Sequence, residues 1–436
     1  MRQLKTNKGQ SMNEMNWDLD VPVEPTMTAV EVVALPPLTE HQLEKADNII
    51  QWLLTKGVAS LSGKAGVGKT FTTRYVIEQL EAEGYYADIL ATTNKAASIL
   101  EGEINKSVST AHSFLKFREK EGEFQPTEET YQIKSKLIIL DELSLLDEHI
   151  LKILYKLFRE DGTKLLFVGD KTQLIFSKEV NDKLAKMPTE YLMIPMRAAD
   201  GSGIARYCSD QSDAIRDGKG RINLYDYQAD DLIIYNDKHS FYTAFDALPE
   251  HHDKVVISYR NKTVFRHDEI LQGRPKGALF QEGDSVRSRD TMKLSPYAAE
   301  ALGRNEGEII IRTAEIFKLG HVDYDAENRL YRCTHATKGY IFFVPEFPSE
   351  YDRDLNNTLR LCKAGERSWA DYYSMKETFC RIYHAQFISC HSAQGSSFDT
   401  VFVDARDMDA ARDEDTRARL VYTAVGRASK MVHVLV

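Results

Sequence analysis

From Leu38 onward, short apolar runs alternate with stretches of helical periodicity. Residues 58–61, 87–91, 137–140 and 165–168 are predominantly apolar and short, as expected of strands buried on both faces of a parallel sheet. Ahead of them Thr39 is placed to cap a helix with Gln42 at its third position, and Leu43, Ala46, Ile49, Ile50, Leu53 and Leu54 follow at helical spacing. A second apolar series begins at 255–259 and resumes at 387–388, 401–403 and 432–436. Alternating strands and helices predict two α/β domains in tandem, the second of them interrupted.

The interruption has a different texture. Glycine-punctuated β segments at 309–311 and 340–344 give way to a helical stretch carrying Trp369, Tyr372, Tyr373, Phe379 and Tyr383. These aromatics read first as the core of an inserted accessory domain, with stacking on bases as the lesser alternative. The expected division is a first domain over 38–250, a second over 251–272 and 386–436, and an insertion over 273–385. Residues 1–37 carry Pro22, Pro25, Pro36 and Pro37 among polar runs without a sustained period, and predict a mobile arm.

A chain of 436 residues with 42% hydrophobic and 28% charged side chains accommodates two or three domains. That composition excludes collagenous, wholly disordered and membrane-spanning classes. The five cysteines contain no CxxC pair, which fits neither a disulfide scaffold nor a zinc ribbon and points to a reducing cytoplasm. With 56 basic against 66 acidic residues, the net charge of −10 argues against coating nucleic acid by bulk attraction. Residues 254–293 run the other way, with nine basic side chains against five acidic ones. That stretch could face phosphates or form a solvated, mixed-charge surface.

Gly63-Lys64-Ala65-Gly66-Val67-Gly68-Lys69-Thr70 matches the G-x-x-x-x-G-K-[ST] phosphate loop, directly after an apolar strand and before a helix. Gly63, Gly66 and Gly68 let backbone N–H groups curl around phosphates, Lys69 reaches the outer phosphates, and Thr70 can hold magnesium. An ordinary glycine-rich turn would not require the Lys-Thr pair. Asp141 and Glu142 end the strand at 137–140, at the carboxyl edge where parallel sheets present ligand-binding groups. Asp141 suits the magnesium shell, and Glu142 suits deprotonation of an attacking water. Alone they could be an acidic turn capping the next helix.

Three further motifs follow: Gly169-Asp170-Lys171-Thr172-Gln173-Leu174, His391-Ser392-Ala393-Gln394-Gly395 and Tyr422-Thr423-Ala424-Val425-Gly426-Arg427-Ala428. Their order over 38–436 resembles the B branch of the superfamily-one helicases, the group of the Dda-type bacteriophage and RecD-like enzymes. The resemblance implies two tandem RecA-like P-loop domains with an SH3-like β part and an aromatic helical part in the insertion. It implies adenine recognition by Gln42, γ-phosphate sensing by Gln173, and two arginines, Arg197 and Arg427, that meet the γ-phosphate across the interdomain cleft. Gln394 and Gly395 would lie near that cleft. Thr92, Thr93, Asn94, Thr110 and His112 in the first domain, and Ser389, His391 and Ser392 in the second, resemble residues that hold single-strand phosphates. Taken alone, His112 is more often a structural histidine.

The implied activity is ATP- and magnesium-dependent translocation 5′ to 3′ on single-stranded DNA with unwinding at duplex junctions, in replication or recombination. The resemblance implies a monomer in the cytoplasm, that of a bacterial host if the chain is phage-encoded, working beside replication proteins or a single-strand-binding protein and without a membrane. A translocase that displaces proteins without parting strands is the main alternative, and a nonenzymatic ATP-switched clamp a lesser one. Between the first DNA motif and Leu137, the polar interval at about 116–130 would form a small pin, with Phe124, or failing that Phe117, stacking on the end base pair. Two departures from the family pattern stand out: Gly426 precedes Arg427 where a threonine is usual, and Ser392 replaces a common lysine.

Overall fold

The computed structural model describes residues 37–436 apart from 65, 121–122, 176, 194–201, 250, 275–277, 294–307 and 314. The expected N-terminal arm and Arg197 lie outside the described residues.

In the first lobe, helix α1 (Glu40–Lys56) begins in a reciprocal capping box between Thr39 and Gln42 and ends at Gly57, whose left-handed φ of 76° lets its N–H return to Trp52 O. Strand β1 (Val58–Gly63), α2 (Lys69–Ala82), β2 (Ala87–Ala91), α3 (Asn94–Ile104), β3 (Val108–Thr110) and α4 (Ala111–Phe114) follow. Then come the hairpin β4 (Arg118–Lys120) and β5 (Glu123–Gln125), β6 (Leu137–Asp141), α5 (Glu148–Asp161), β7 (Lys164–Gly169), α6 (Lys178–Ala185) and β8 (Thr189–Leu192). Six strands form a parallel sheet in the order β3-β2-β6-β7-β1-β8.

Alternation along each strand divides the core. Ile139, Leu166 and Val168 pack with Ile49, Leu53, Val76 and Leu80 of α1 and α2. Ile138, Leu140, Leu165 and Phe167 pack with Leu151, Leu154 and Leu184 of α5 and α6 on the other face. A Leu-to-Ala change at a site such as Leu154 would cost about 2–5 kcal/mol.

The hairpin occupies the interval expected to form a pin, with Arg118 opposite Gln125 and Glu119 opposite Phe124. Its base is tied down by Thr127 Oγ1, which donates to Lys116 O, and Thr130 Oγ1, which donates to Leu115 O. Phe117 is a correction: it is 4% exposed in the first-lobe core and meets His112 edge-on, so it cannot reach a base pair. The polar residues after it make the interval look exposed as a whole, but the chain turns inward before the hairpin starts.

The second lobe starts earlier than expected. Helix α7 (Gly203–Arg216), β9 (Leu232–Tyr235), α8 (Lys238–Asp246), β10 (Lys254–Ser258) and α9 (Asn261–Gln272) all belong to it. Its parallel sheet has the order β18-β10-β19-β20-β9, with β18 (Phe387–Ser389), β19 (Phe398–Asp404) and β20 (Ala428–Leu435) supplied after the insertion. Helices α12 (Cys390–Ala393), α13 (Ala405–Met408) and α14 (Glu414–Val425) complete it. The boundary expected at 250 therefore moves back to about 202: Leu232 pairs with Val432, and Tyr207, Leu224 and Leu232 share one core with Val255, Val401 and Val432. Four residues of β9 are too brief a signal to say which sheet they join.

The insertion holds β11 (Ser285–Ser288), β12 (Met292–Lys293), β13 (Ile309–Ile311), β14 (Ile316–Asp325), β15 (Leu330–His335), β16 (Ile341–Pro345) and β17 (Ile382–His384). Five of these form an antiparallel sheet in the order β16-β15-β14-β11-β17. Helices α10 (Pro348–Lys363) and α11 (Trp369–Thr378) pack on each other through Tyr351, Leu355, Cys362 and Tyr372, with Trp369 and Tyr373 against them. Those three aromatics of α11 therefore serve as core. Tyr383 is different: it lies on β17, against the second lobe. His384 fastens the insertion to that lobe, 2.7 Å from Asp268 of α9 and 3.1 Å from Asp284. Burial alone would lower the His384 pKa, but the two carboxylates overcome it and raise it to about 9. Among the described residues no helix is long and apolar enough to cross a membrane.

Candidate functional site

Gly63, Asp141 and Gly169 end three strands at the same edge of the first sheet, which gathers there the residues expected to bind nucleotide. Gly68 takes a φ of 84° and starts α2, so the loop delivers Lys69 and Thr70 as the first residues of a helix whose N-terminus favours anions. Lys69 Nζ donates to Gly63 O and Lys64 O, both at 2.8 Å, folding the ammonium back over the loop that would receive phosphate. Gln42 is 2% exposed; its Oε1 accepts from Thr39 N–H and its Nε2 donates to Val67 O at 3.2 Å. The expected adenine reader thus also braces the phosphate loop against α1.

Asp141 and Glu142 follow one another but differ in environment. Burial, then the adjoining Glu142 charge, push the Asp141 carboxyl up to about 7, against the pull of Lys69. A divalent cation would reverse that balance, and the Thr70 hydroxyl and Asp141 carboxylate are the hard oxygen donors magnesium prefers. Glu142 adopts a left-handed φ of 59°, uncommon for a residue with a Cβ. Gly169 explains how this turn is accommodated: a Cβ there would lie 2.8 Å from Leu143 N. The end of β7 thus leaves room for the chain just past Glu142.

The loop after β7 is where the two lobes meet. Asp170, 2% exposed, accepts from the Tyr422 hydroxyl at 2.6 Å and from Thr172 Oγ1 at 2.6 Å. Thr423 Oγ1 accepts from Leu174 N–H, and Gln394 Nε2 donates to Leu174 O at 2.8 Å. Arg419 donates to the carbonyls of Lys171 and Gln173. Tyr422, Thr423 and Arg419 all lie on α14, so one helix of the second lobe clasps the whole loop. Lys64 adds a strut from the phosphate loop itself: its buried Nζ donates to Ser209 Oγ of α7 at 2.8 Å, and burial lowers its pKa. Gln173 Oε1 and Gln394 Oε1 are buried here without hydrogen-bond partners.

Arg427 is 6% exposed and spends its donors inside its own lobe, on Thr423 O at 3.2 Å and Ser396 O at 3.4 Å. Gly395, with a φ of 69°, lies beside that carbonyl. Gly426 has a reason of its own: a Cβ there would sit 3.1 Å from Tyr422 O, tight for the threonine usual at this position.

The residues expected at DNA lie at corresponding strand ends in the two lobes. Ala91 pairs with Thr110, which brings Thr92 and Thr93 beside Thr110 and His112, and in the second lobe Ser258 pairs with Ser389. Thr93, Thr110 and Ser389 are all helix N-caps, accepting from Ala96, Ser113 and Ser392 N–H. Their hydroxyls are engaged locally, which leaves Thr92 Oγ1 as a buried hydroxyl without a partner. Asn94 begins α3, His112 lies 3.3 Å from Asp147, and the His391 ring lies tilted by 31° against Tyr259 with centroids 6.0 Å apart. Phe124 has a place in the hairpin, but its side chain lies outside the described residues. Asp170, Tyr422, Thr423, Arg419 and Lys64 were not singled out from the sequence as site residues. All but Arg419 lie inside sequence motifs, and what the sequence does not show is how those motifs pair.

Comparison with known proteins agrees with this layout. Residues 46–179 match the model of an AAA domain, and residues 384–435 match a UvrD-like helicase C-terminal domain. The chain is 24% identical over 444 residues to the ATP-dependent DNA helicase dda of Enterobacteria phage T4, covering 89% of this chain and 97% of that one. Among solved structures, Pif1 helicase from Candida albicans is 16% identical with a TM-score of 0.46, covering 92% of this chain and 94% of that one. Pif1 from a Bacteroides species, in complex with ADP-AlF4, is 13% identical with a TM-score of 0.43, covering 92% and 93%. The matched domains, in this order, and a relative aligned over nearly its whole length fit the chain to the B branch of the superfamily-one helicases.

Proposed function

We propose that this chain is an ATP-dependent DNA helicase that moves 5′ to 3′ along single-stranded DNA and unwinds duplex at a junction. The observation that carries the reading is the clasp between the loop at 170–174 and α14. It ties Gln173, the residue expected to sense the γ-phosphate, to the lobe that bears Ser389, His391 and Ser392.

On ATP binding, Lys69 exchanges the Gly63 and Lys64 carbonyls for the outer phosphates. Thr70 and Asp141 would hold magnesium, which supplies charge neutralisation on the phosphates when bound. Glu142 takes the proton of the attacking water, while Gln173 and Arg427, together with Arg197, neutralise charge on the γ-phosphoryl oxygens. Arg427 must leave Thr423 O and Ser396 O to do so, which makes turnover depend on lobe closure. Alternate closing and opening then shifts the grip of Thr92, Thr93, Asn94, Thr110 and His112 relative to that of the second lobe. The motor works as a monomer in the cytoplasm, that of the bacterial host if phage-encoded, at junctions shared with replication proteins or single-strand-binding protein.

Phosphate release measured with and without single-stranded DNA, beside unwinding of duplexes with a 5′ or a 3′ tail, tests the reading. DNA-stimulated hydrolysis that Lys69→Ala abolishes, with unwinding of the 5′-tailed duplex, is expected. Hydrolysis indifferent to DNA would overturn it, and stimulated hydrolysis without unwinding of either duplex would leave a translocase that displaces proteins.

A further inference from the structure

Lys64 is the phosphate-loop residue that the expected chemistry leaves over. Gly63, Gly66 and Gly68 shape the loop, Lys69 and Thr70 answer to phosphate and magnesium, and nothing in that division asks for a second ammonium. Its side chain nevertheless lies inside the seam between the lobes: the residue is 8% exposed, and its Nζ donates to Ser209 Oγ of α7 at 2.8 Å.

Among the described residues that hydroxyl is its one hydrogen-bond partner. An ammonium has three donors, and leaving two of them unanswered in an interior is unfavourable. Asp213, Asp170 and Asp210 act on Lys64 through charge from beyond ion-pair distance, which offsets part of the cost of burial. A carboxylate in place of the hydroxyl would bind such a cation far more strongly. A lone hydroxyl holds it and lets it go.

The same residue is engaged at its other end. Lys64 O accepts from Lys69 Nζ at 2.8 Å, so one residue joins the cation that must reach the outer phosphates to a helix of the other lobe. Ser209 in turn belongs to a row. Ser209, Ser212 and Arg216 are spaced i, i+3 and i+7 on one face of α7. Ser212 Oγ lies 3.1 Å from Thr172 Oγ1 in the loop after β7, and because Thr172 gives its hydroxyl proton to Asp170, Ser212 is the donor. Arg216 sits over the Tyr191 ring of β8 at 5.5 Å. This face of α7 therefore rests on the loops after β1 and β7 and on β8, and Ser209 is where it meets the phosphate loop.

We propose that Lys64 is a positioning residue that couples the second lobe's grip on DNA to the phosphate loop through Ser209. The proposal rests on the helicase reading and deepens it. When DNA shifts the second lobe, α7 draws on Lys64, and the carbonyl that holds Lys69 gives up its bond, freeing that ammonium for the outer phosphates. The α14 clasp acts on the loop at 170–174, whereas this contact acts on nucleotide binding itself. Linkage requires the converse, so nucleotide at the loop must tighten DNA by the same factor by which DNA tightens nucleotide.

The test uses the full-length protein, oligothymidylate and a non-hydrolysable ATP analogue with magnesium. Fluorescence anisotropy gives the DNA affinity with and without the analogue, and a fluorescent form of the analogue gives the nucleotide affinity with and without DNA. In wild type each ligand should tighten the other by one common factor of about 5- to 150-fold. Ser209→Ala should cut both factors about fivefold, with DNA affinity in the absence of nucleotide near wild type, a pattern that simple loss of stability does not give. Lys64→Met should show the same cut, and the double variant no more than either alone, because both delete one bond. Undiminished factors in Ser209→Ala would overturn the proposal, as would losses in the two variants that multiply. Wild-type factors near one beside DNA-stimulated hydrolysis would remove the coupling role and leave the helicase reading standing, whereas wild-type hydrolysis indifferent to DNA removes both.

Discussion

The Tyr422 hydroxyl donates to the buried Asp170 carboxylate at 2.6 Å, joining a helix of the second lobe to the loop that follows β7 in the first. Removing a donor from a buried charge costs about 1–3 kcal/mol. Tyr422→Phe keeps the ring and deletes only that donor, so the fold should survive. The DNA-stimulated kcat for ATP should fall several-fold with KM for ATP little changed, as measured by steady-state phosphate release. An equal fall in hydrolysis without DNA would show that the bond serves the ATP site alone.

Arg427 should separate structure from chemistry. Its two carbonyl partners make Arg427→Ala ambiguous, because an empty space would be left in the second lobe. Arg427→Lys retains a cation and much of the volume but loses the planar fork. Turnover should drop by about a thousandfold, the scale of an arginine finger, while the melting temperature moves by only a few degrees. Unchanged DNA-stimulated hydrolysis would make Arg427 purely a structural residue.

The joint between the accessory unit and the second lobe should respond to alkali. His384, with a pKa raised from 6.5 to about 9, gains its interactions in the charged form. Its contribution is therefore complete below about pH 6.5 and is lost as pH rises through about 9. His384 and Arg274 meanwhile hold the Asp284 carboxyl well below its usual range against the effect of burial, so that partner stays charged across the same window. Melting curves between about pH 6 and 10 should show wild type losing stability that His384→Gln lacks throughout. Parallel curves for the two proteins would contradict this.

Phe124 stands in the short hairpin, where Glu119 is its cross-strand neighbour. Phe124→Ala should slow unwinding of a 5′-tailed duplex by about the five- to hundredfold that loss of one base stack implies, with DNA-stimulated hydrolysis near wild type. Gel-resolved strand separation beside phosphate release checks both. Loss of the two together would assign Phe124 to the fold instead.

Much of the scaffold was legible because it rests on local signals. The run at 137–140 became β6 and the run at 165–168 became the heart of β7, since continuous apolar side chains are intolerable anywhere but between two layers of helix. Thr39 and Gln42 formed the capping box their spacing predicts. The phosphate loop and the two carboxylates stood out for the same reason: their chemistry depends on neighbours in sequence. What could not be read were relations between distant segments. Nothing in residues 232–235 says that Tyr235 pairs with Leu435, or that Phe117 turns inward one residue before a polar hairpin. Asp170 and Tyr422 each sat in a motif, yet their bond exists only once the two lobes are set side by side.

The strand order of the second lobe also bears on how the protein is made. β10 lies between β18 and β19, and β9 finds its neighbour only in β20, so Leu232 waits for Val432. A ribosome adding about 5–20 residues per second will have released the whole first lobe and the accessory unit before residue 435 emerges. For that interval β9 and β10 are apolar strands without partners, beside two finished domains. A nascent chain stalled within the insertion should therefore carry a folded phosphate loop and an exposed, aggregation-prone half-sheet, and the ability to hydrolyse ATP should be the last property the protein acquires.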